Sequence, residues 1–246
     1  MCTVTILPES LVSAANGGAK DPLRWRLACN RDESTNRLAA LPPSIARIGS
    51  RLAIMPVDPE SGGTWIGVND AGLACSLLNV YDGATKAPAP ISRGTIIPPL
   101  LRYGDVDSAL MWAAQLQPGR YQPFRLLIVD GRDLVECCSD GRTLRHRRQR
   151  LHDALIRTSS GLGDRLVARP RAALFHKFLA ATSNKIAAED LFHLHQWRGR
   201  EEVSVRMRRA DARTVSHTVI EIRERTVSLS YRPAEAPESV SITVAA

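Results

Sequence analysis

The 246-residue chain is 44% hydrophobic and 24% charged, the balance of a globular protein with a sizeable core, and no apolar run approaches the ~20 residues of a membrane helix. A net charge of +8 favours anions, but aromatics are only 5% and none interleaves with the arginines, which argues against nucleic acid. The five cysteines are odd in number and lack CxxC or CxxH spacing, so neither a disulfide framework nor a zinc site is expected, and a reducing, cytoplasmic compartment is.

In chain order, CTVTIL (2–7) alternates and is β-branched, as a half-buried strand should be. No charged n-region or long apolar core precedes Pro8, so no signal peptide is expected and Met1 would be processed in the cytosol. The turn formers ANGGAKDP predict a loop, and LRWRLACN (23–30) a second strand. TWIGVN and LACSLLNV are strands joined by the turn Asn69-Asp70-Ala71-Gly72. Residues 94–116 have helical character, which Pro98-Pro99 must break or restart. Asp105 and Asp107 read as helix-cap residues. FRLLIVD and DLVECCS make a hairpin around Asp130-Gly131. The arginine-rich LRHRRQRLH (144–152) reads as a solvated basic loop. Helical periodicity returns over 170–181 and 186–197, RTVSHTVIEI and TVSLSYR close the chain as a hairpin, and 233–246 is expected to be a loosely ordered tail. Hairpin-linked strands without βα alternation predict an α+β fold of antiparallel sheets in a single domain over 1–246.

Three stretches carry candidate chemistry. If Met1 is removed, Cys2 has a thiol and a free α-amine on one residue; the amine, unprotonated in part near neutrality, is a base for the thiol. Taken alone, MCTVT reads equally as a packed cysteine opening a strand. In CNRDES, Arg31 beside a thiol favours the thiolate and binds carboxylates, while Asp32 could orient an ammonium; strand alternation places the two on opposite faces. In GGTWIGVNDAGLACSLLNV, the hairpin puts Asn79 at the end of the returning strand, where its amide could meet an oxyanion or simply begin the Tyr81-Asp82-Gly83 turn. His193 and His195, two apart in a helix, point about 200° apart and cannot chelate one ion well, so no metal or cofactor is expected; His217 reads as structural, and Gly161-x-Gly163 is no dinucleotide fingerprint.

MCTV at the start, NRDE at 30–33, GGTWIGVN followed by GLA and a terminal LN, Ser-Arg-Gly at 92–94, VDGRDLVECCSDG, TSSGLGD at 158–164 and ARTVSHTVIEI, in this order, resemble the NRDE family, which includes the transport and Golgi organisation protein 2. The resemblance implies a four-layer αββα N-terminal nucleophile (Ntn) hydrolase fold. It is more remotely similar to the cysteine-type bile salt hydrolases and penicillin V acylases. That likeness implies Cys2 as nucleophile, Arg31 at the thiol, Asp32 at the amine and Asn79 as oxyanion donor. Arg31 and Asp32 are adjacent here, where the acylases separate them by two residues; Ser159 and Ser160 stand where the acylases have a second oxyanion asparagine, and Arg213 aligns with a late acylase arginine. Two functions follow from the resemblance: a hydrolase or acyl-transferase acting on the linear amide of a small, anionic substrate, or a non-enzymatic protein that binds a small ligand such as haem, tied in eukaryotic relatives to secretory and lipid homeostasis.

Overall fold

The structure, a computed structural model, describes residues 2–13, 17–81, 89–235 and 238–246. Met1, part of the loop expected after the first strand, the Asp82-Gly83 half of the turn after Asn79, and 236–237 of the expected tail lie outside the described residues.

Two antiparallel sheets face each other. The first has six strands in the order β10 (Leu155–Thr158), β1 (Cys2–Leu7), β2 (Leu23–Ser34), β11 (Ala212–Arg223), β12 (Thr226–Pro233) and β13 (Val240–Ala245). The second has seven: β3 (Leu41–Ile48), β4 (Arg51–Val57), β5 (Ile66–Asn69), β6 (Ala74–Asn79), β7 (Phe124–Val129), β8 (Asp133–Ser139) and β9 (Leu144–Arg150). Between them lies a core of Val4, Ile6, Trp25, Leu27, Ile66, Val68, Leu127, Val129, Ile220 and Leu229, contributed by alternate residues of both sheets. Helices α2 (Ile97–Leu100) and α3 (Val106–Ala113) cover the outer face of the second sheet through Ile97, Leu100 and Ala109. Helices α4 (Asp164–Ala181) and α5 (Lys185–Leu194) cover the outer face of the first through Phe175, Leu179 and Phe192, with the short α1 (Glu9–Val12) beside them. The result is a four-layer αββα sandwich. No helix among the described residues is long and apolar enough to cross a membrane.

Several elements differ from the sequence reading. Residues 144–150 form β9, an edge strand, rather than a loop; its charged side chains suit an edge that must not pair further, and Arg148 reaches Asp133 at 2.8 Å. Strands β3 and β4 were not expected, because Pro42 and Pro43 obscure a pattern that an edge strand tolerates. The tail is β13 over 240–245, paired along β12. Pro98 and Pro99 sit at the start of α2, where a missing N–H costs nothing, and α4 begins at Asp164, ahead of Pro170.

Strand β1 is buried on both faces. Cys2, Val4 and Ile6 point into the sandwich. Thr3 and Thr5 point toward the helices, where the Thr3 hydroxyl accepts from Arg171 at 2.7 Å and the Thr5 hydroxyl donates to Glu189 at 2.5 Å. Cys2 is thereby held at the end of a central strand, with Arg31 directly across on β2 and Ser159, just past β10, donating its N–H to the Cys2 carbonyl at 2.8 Å.

Candidate active site

At the end of β1, Cys2, Arg31 and Asn79 line one cleft of about 550 Å³, together with Glu33, Asp58, Trp65, Tyr81 and Arg93. Each arrives by a short-range device. Arg31 shares the inward face of β2 with Leu27 and Cys29, so alternation aims its guanidinium at the cleft. It stacks 4.2 Å over the ring of Trp65 and bonds Asp58 at 2.9 Å and Glu33 at 3.2 Å. Asn79 ends β6, and its Nδ2 donates to the Tyr81 hydroxyl at 2.8 Å. The β5–β6 turn that sets this position is closed by Asn69, whose side-chain oxygen accepts from Ala71 N at 3.1 Å and Leu73 N at 3.0 Å.

The paired glycines before β5 serve a close approach. A Cβ on Gly63 would sit 2.3 Å from the carbonyl carbon of Gly94, and Thr64 N donates to Gly94 O at 3.0 Å. This contact clamps the Ser92-Arg93-Gly94 segment against the cleft wall and explains why Gly63 and Gly94 are both glycines.

Around the thiol, a hydrogen bond from Cys29 holds Cys2 below its ordinary pKa, against burial and the Asp32 charge and with help from Arg31. The Cys29 thiol, which gives that bond and is itself buried, is pushed well up. A lowered thiol pKa of this kind favours the thiolate, the form that acts as a nucleophile. Its backbone nitrogen donates to Ser159 Oγ at 2.9 Å.

Asp32 lies on the other face of β2, as alternation requires. A register shift in β11 between Thr214 and Ser216 puts the Thr214 hydroxyl 2.6 Å from its carboxylate. Burial raises its pKa, opposed by the Arg171 guanidinium and the Thr214 bond. Although it does not line the cleft, its charge acts on the Cys2 thiol.

The remaining candidates are elsewhere. Ser160 N donates to Asp164 and its hydroxyl accepts from Leu162 N at 3.2 Å; Ser159 is the serine that touches Cys2. Arg213 pairs with Glu235 at 2.6 Å and lines a neighbouring groove. His193 is buried in α5 and His195 follows its end, while His217 Nδ1 is bonded to Asn30 Oδ1 at 2.8 Å. Asp105 caps α3 through Ser108 N at 2.7 Å, and Asp107 pairs with Arg148.

Reading the sequence alone missed Asp58, which fixes both Arg31 and Arg37, and Tyr81, which holds Asn79. It quoted Trp65 and Arg93 within motifs without giving either a role.

The profile of the family described as Transport and Golgi organisation 2 matches residues 18–224. The chain belongs to the Transport and Golgi organisation 2 family. No curated protein matches it in sequence. Among solved structures it is similar to a mutant of the conjugated bile acid hydrolase from Clostridium perfringens, with a TM-score of 0.56 at 12% identity over 98% of this chain and 92% of that one. It is also similar to the Caenorhabditis elegans ortholog of N-acylethanolamine-hydrolyzing acid amidase, with a TM-score of 0.56 at 11% identity over 89% of this chain and 92% of that one. At such identities the likeness concerns the fold, and the fold of this Transport and Golgi organisation 2 family member is that of the Ntn hydrolases.

Proposed function

We propose that this protein is a cysteine Ntn hydrolase or acyl-transferase that cleaves the linear amide of a small substrate. The observation that carries the reading is the convergence of Cys2, Arg31 and Asn79, from three separate strands, on one cleft beside an acidified thiol. Fold neighbours named as a hydrolase and an acid amidase support it.

With Met1 removed, the Cys2 nitrogen becomes an α-amine. Ser159 Oγ accepts one of its protons, and the Asp32 carboxylate on the other face of β2, whose charge reaches Cys2, would favour the ammonium formed after proton transfer. The amine takes the thiol proton and the thiolate attacks the amide carbonyl. Negative charge develops on the carbonyl oxygen, where the Asn79 amide donates to it in place of Tyr81. Collapse breaks the C–N bond, and the leaving amine collects the proton held by the Cys2 amine. Water, or a second amine in a transferase, then releases the acyl group from sulfur. Arg31, fixed by Asp58 and Trp65, supplies a permanent positive charge at the thiol throughout. No step requires Ser160 or Arg213.

The test combines intact mass with turnover. The mature protein should lack Met1, release amine from a small-amide library, and lose that release by at least 10³-fold in Cys2→Ala. Quantitative retention of Met1, or turnover that survives Cys2→Ala, refutes the proposal. Ligand binding without any turnover would place the protein among carriers instead.

A further inference from the structure

We infer that Arg93 is the cleft's receptor for a negatively charged group, a carboxylate first, so that the compounds this site selects are anionic. The inference rests on Cys2 being the reactive thiol of the cleft.

Three arginines line the cleft, and two are already neutralised. Arg31 is paired with Asp58 and Glu33. Arg37 is paired with Asp58 at 2.8 Å and with Glu60 at 3.4 Å. Arg93 has no ion pair among the described residues: its Nη1 donates to the backbone oxygen of Pro123 at 3.0 Å. It lines the same cleft as Cys2, Glu33 and Asn79, so it faces the reacting centre. Burial disfavours its charge, yet a guanidinium does not give up its proton in a protein. A half-buried, permanently charged fork with donors to spare is a receptor for an anion with two oxygens.

The segment that carries Arg93 is also rigid. Gly94 is clamped on Gly63, and the Ser92 hydroxyl accepts from Gly94 N at 3.3 Å. An anion therefore meets a preformed donor, which lowers the ordering cost of binding. Asn79, its partner Tyr81 and Arg93 line the same cleft, so an anionic group at Arg93 would share the cleft with the proposed oxyanion position.

The probes are iodoacetate and iodoacetamide, which carry the same electrophilic carbon and differ in charge. In each, the Cys2 thiolate forms a C–S bond as the C–I bond breaks and iodide leaves. Rates at Cys2 are read by peptide mass spectrometry, and the ratio of iodoacetate to iodoacetamide is divided by the same ratio in denatured protein. That normalised ratio should be about tenfold or more in the unaltered protein, the size expected of one charge-assisted hydrogen bond. It should fall to near one in Arg93→Met and stay intermediate in Arg93→Lys. In the unaltered protein, butyrate should protect Cys2 from iodoacetamide where butyramide does not. A normalised ratio unchanged by Arg93→Met, or equal protection by the two butyryl compounds, overturns the inference. Because alkylation needs neither Met1 removal nor hydrolysis, a full charge preference in a protein that hydrolyses no amide would discard the hydrolase reading and leave this one standing.

Discussion

Acidification should destabilise the protein through His217. Its ring bonds Asn30 through Nδ1 and lies 4.9 Å, centroid to centroid, from the ring of His193. Burial, followed by the charges of Arg26 and Arg232, pushes its pKa from 6.5 down to about 4, with Asp190 opposing. The folded state therefore holds His217 neutral where the unfolded chain protonates it. Stability from this group is fully present above pH 6.5 and is lost as the pH falls toward 4. The shift corresponds to about 3 kcal/mol at 1.36 kcal/mol per pKa unit. The ring is only half-buried, so solvent screening reduces this to about 2 kcal/mol. Urea unfolding of the unaltered protein and of His217→Gln at pH 7.0 and 4.5 measures the contribution of His217 together with its coupling to His193, the neighbouring ring whose titration it influences. His217→Gln should be the less stable at pH 7.0 through its weakened bond to Asn30, and should lose about 2 kcal/mol less on acidification. Parallel losses in the two proteins would show that His217 does not carry the effect.

Other predictions follow from the cleft and its support. Gly63→Ala should destabilise the fold by about 1–3 kcal/mol, seen as a lowered Tm, because its Cβ meets Gly94 backbone at 2.3 Å. It should also slow Cys2 alkylation by displacing residues 92–94. Cys29→Ala removes the hydrogen bond that acidifies Cys2, so the pH profile of Cys2 alkylation should move to higher pH; a fixed profile would exclude Cys29 from that role. Arg171→Met leaves the carbonyls of Val203 and Ser204 without their donor and Asp32 without the main positive charge that offsets its burial. The cost should be about 3–5 kcal/mol by chemical denaturation.

Legibility in the sequence tracked the range of the interaction. The β5–β6 hairpin was readable because Asn69 and Gly72 close it within a few residues. The alternation of β2 and β11 was readable because each buries alternate residues against the sandwich core, and the same alternation separated Arg31 from Asp32 correctly. Strand β9 was not readable, because its seven residues LRHRRQR are shaped by the needs of a sheet edge rather than by a buried face. Nor was β13, whose pairing depends wholly on β12 being in place.

By itself, then, the sequence determined the layered antiparallel architecture, the family, and the three residue types at the head of the cleft, since periodicity, turn chemistry and ordered motifs are local properties of a chain. Tertiary structure alone decided which serine meets the Cys2 nitrogen, that Asp58 is the partner of Arg31, that Cys29 lies beside Cys2 in the sandwich core, and that Arg93 lines the cleft with no carboxylate of its own among the described residues. Those relations join strands and loops far apart in sequence. They are set by the stacking of two sheets and by one glycine-on-glycine contact; the paired glycines at 62–63 signal such a close approach locally, but only the fold shows that its partner is Gly94.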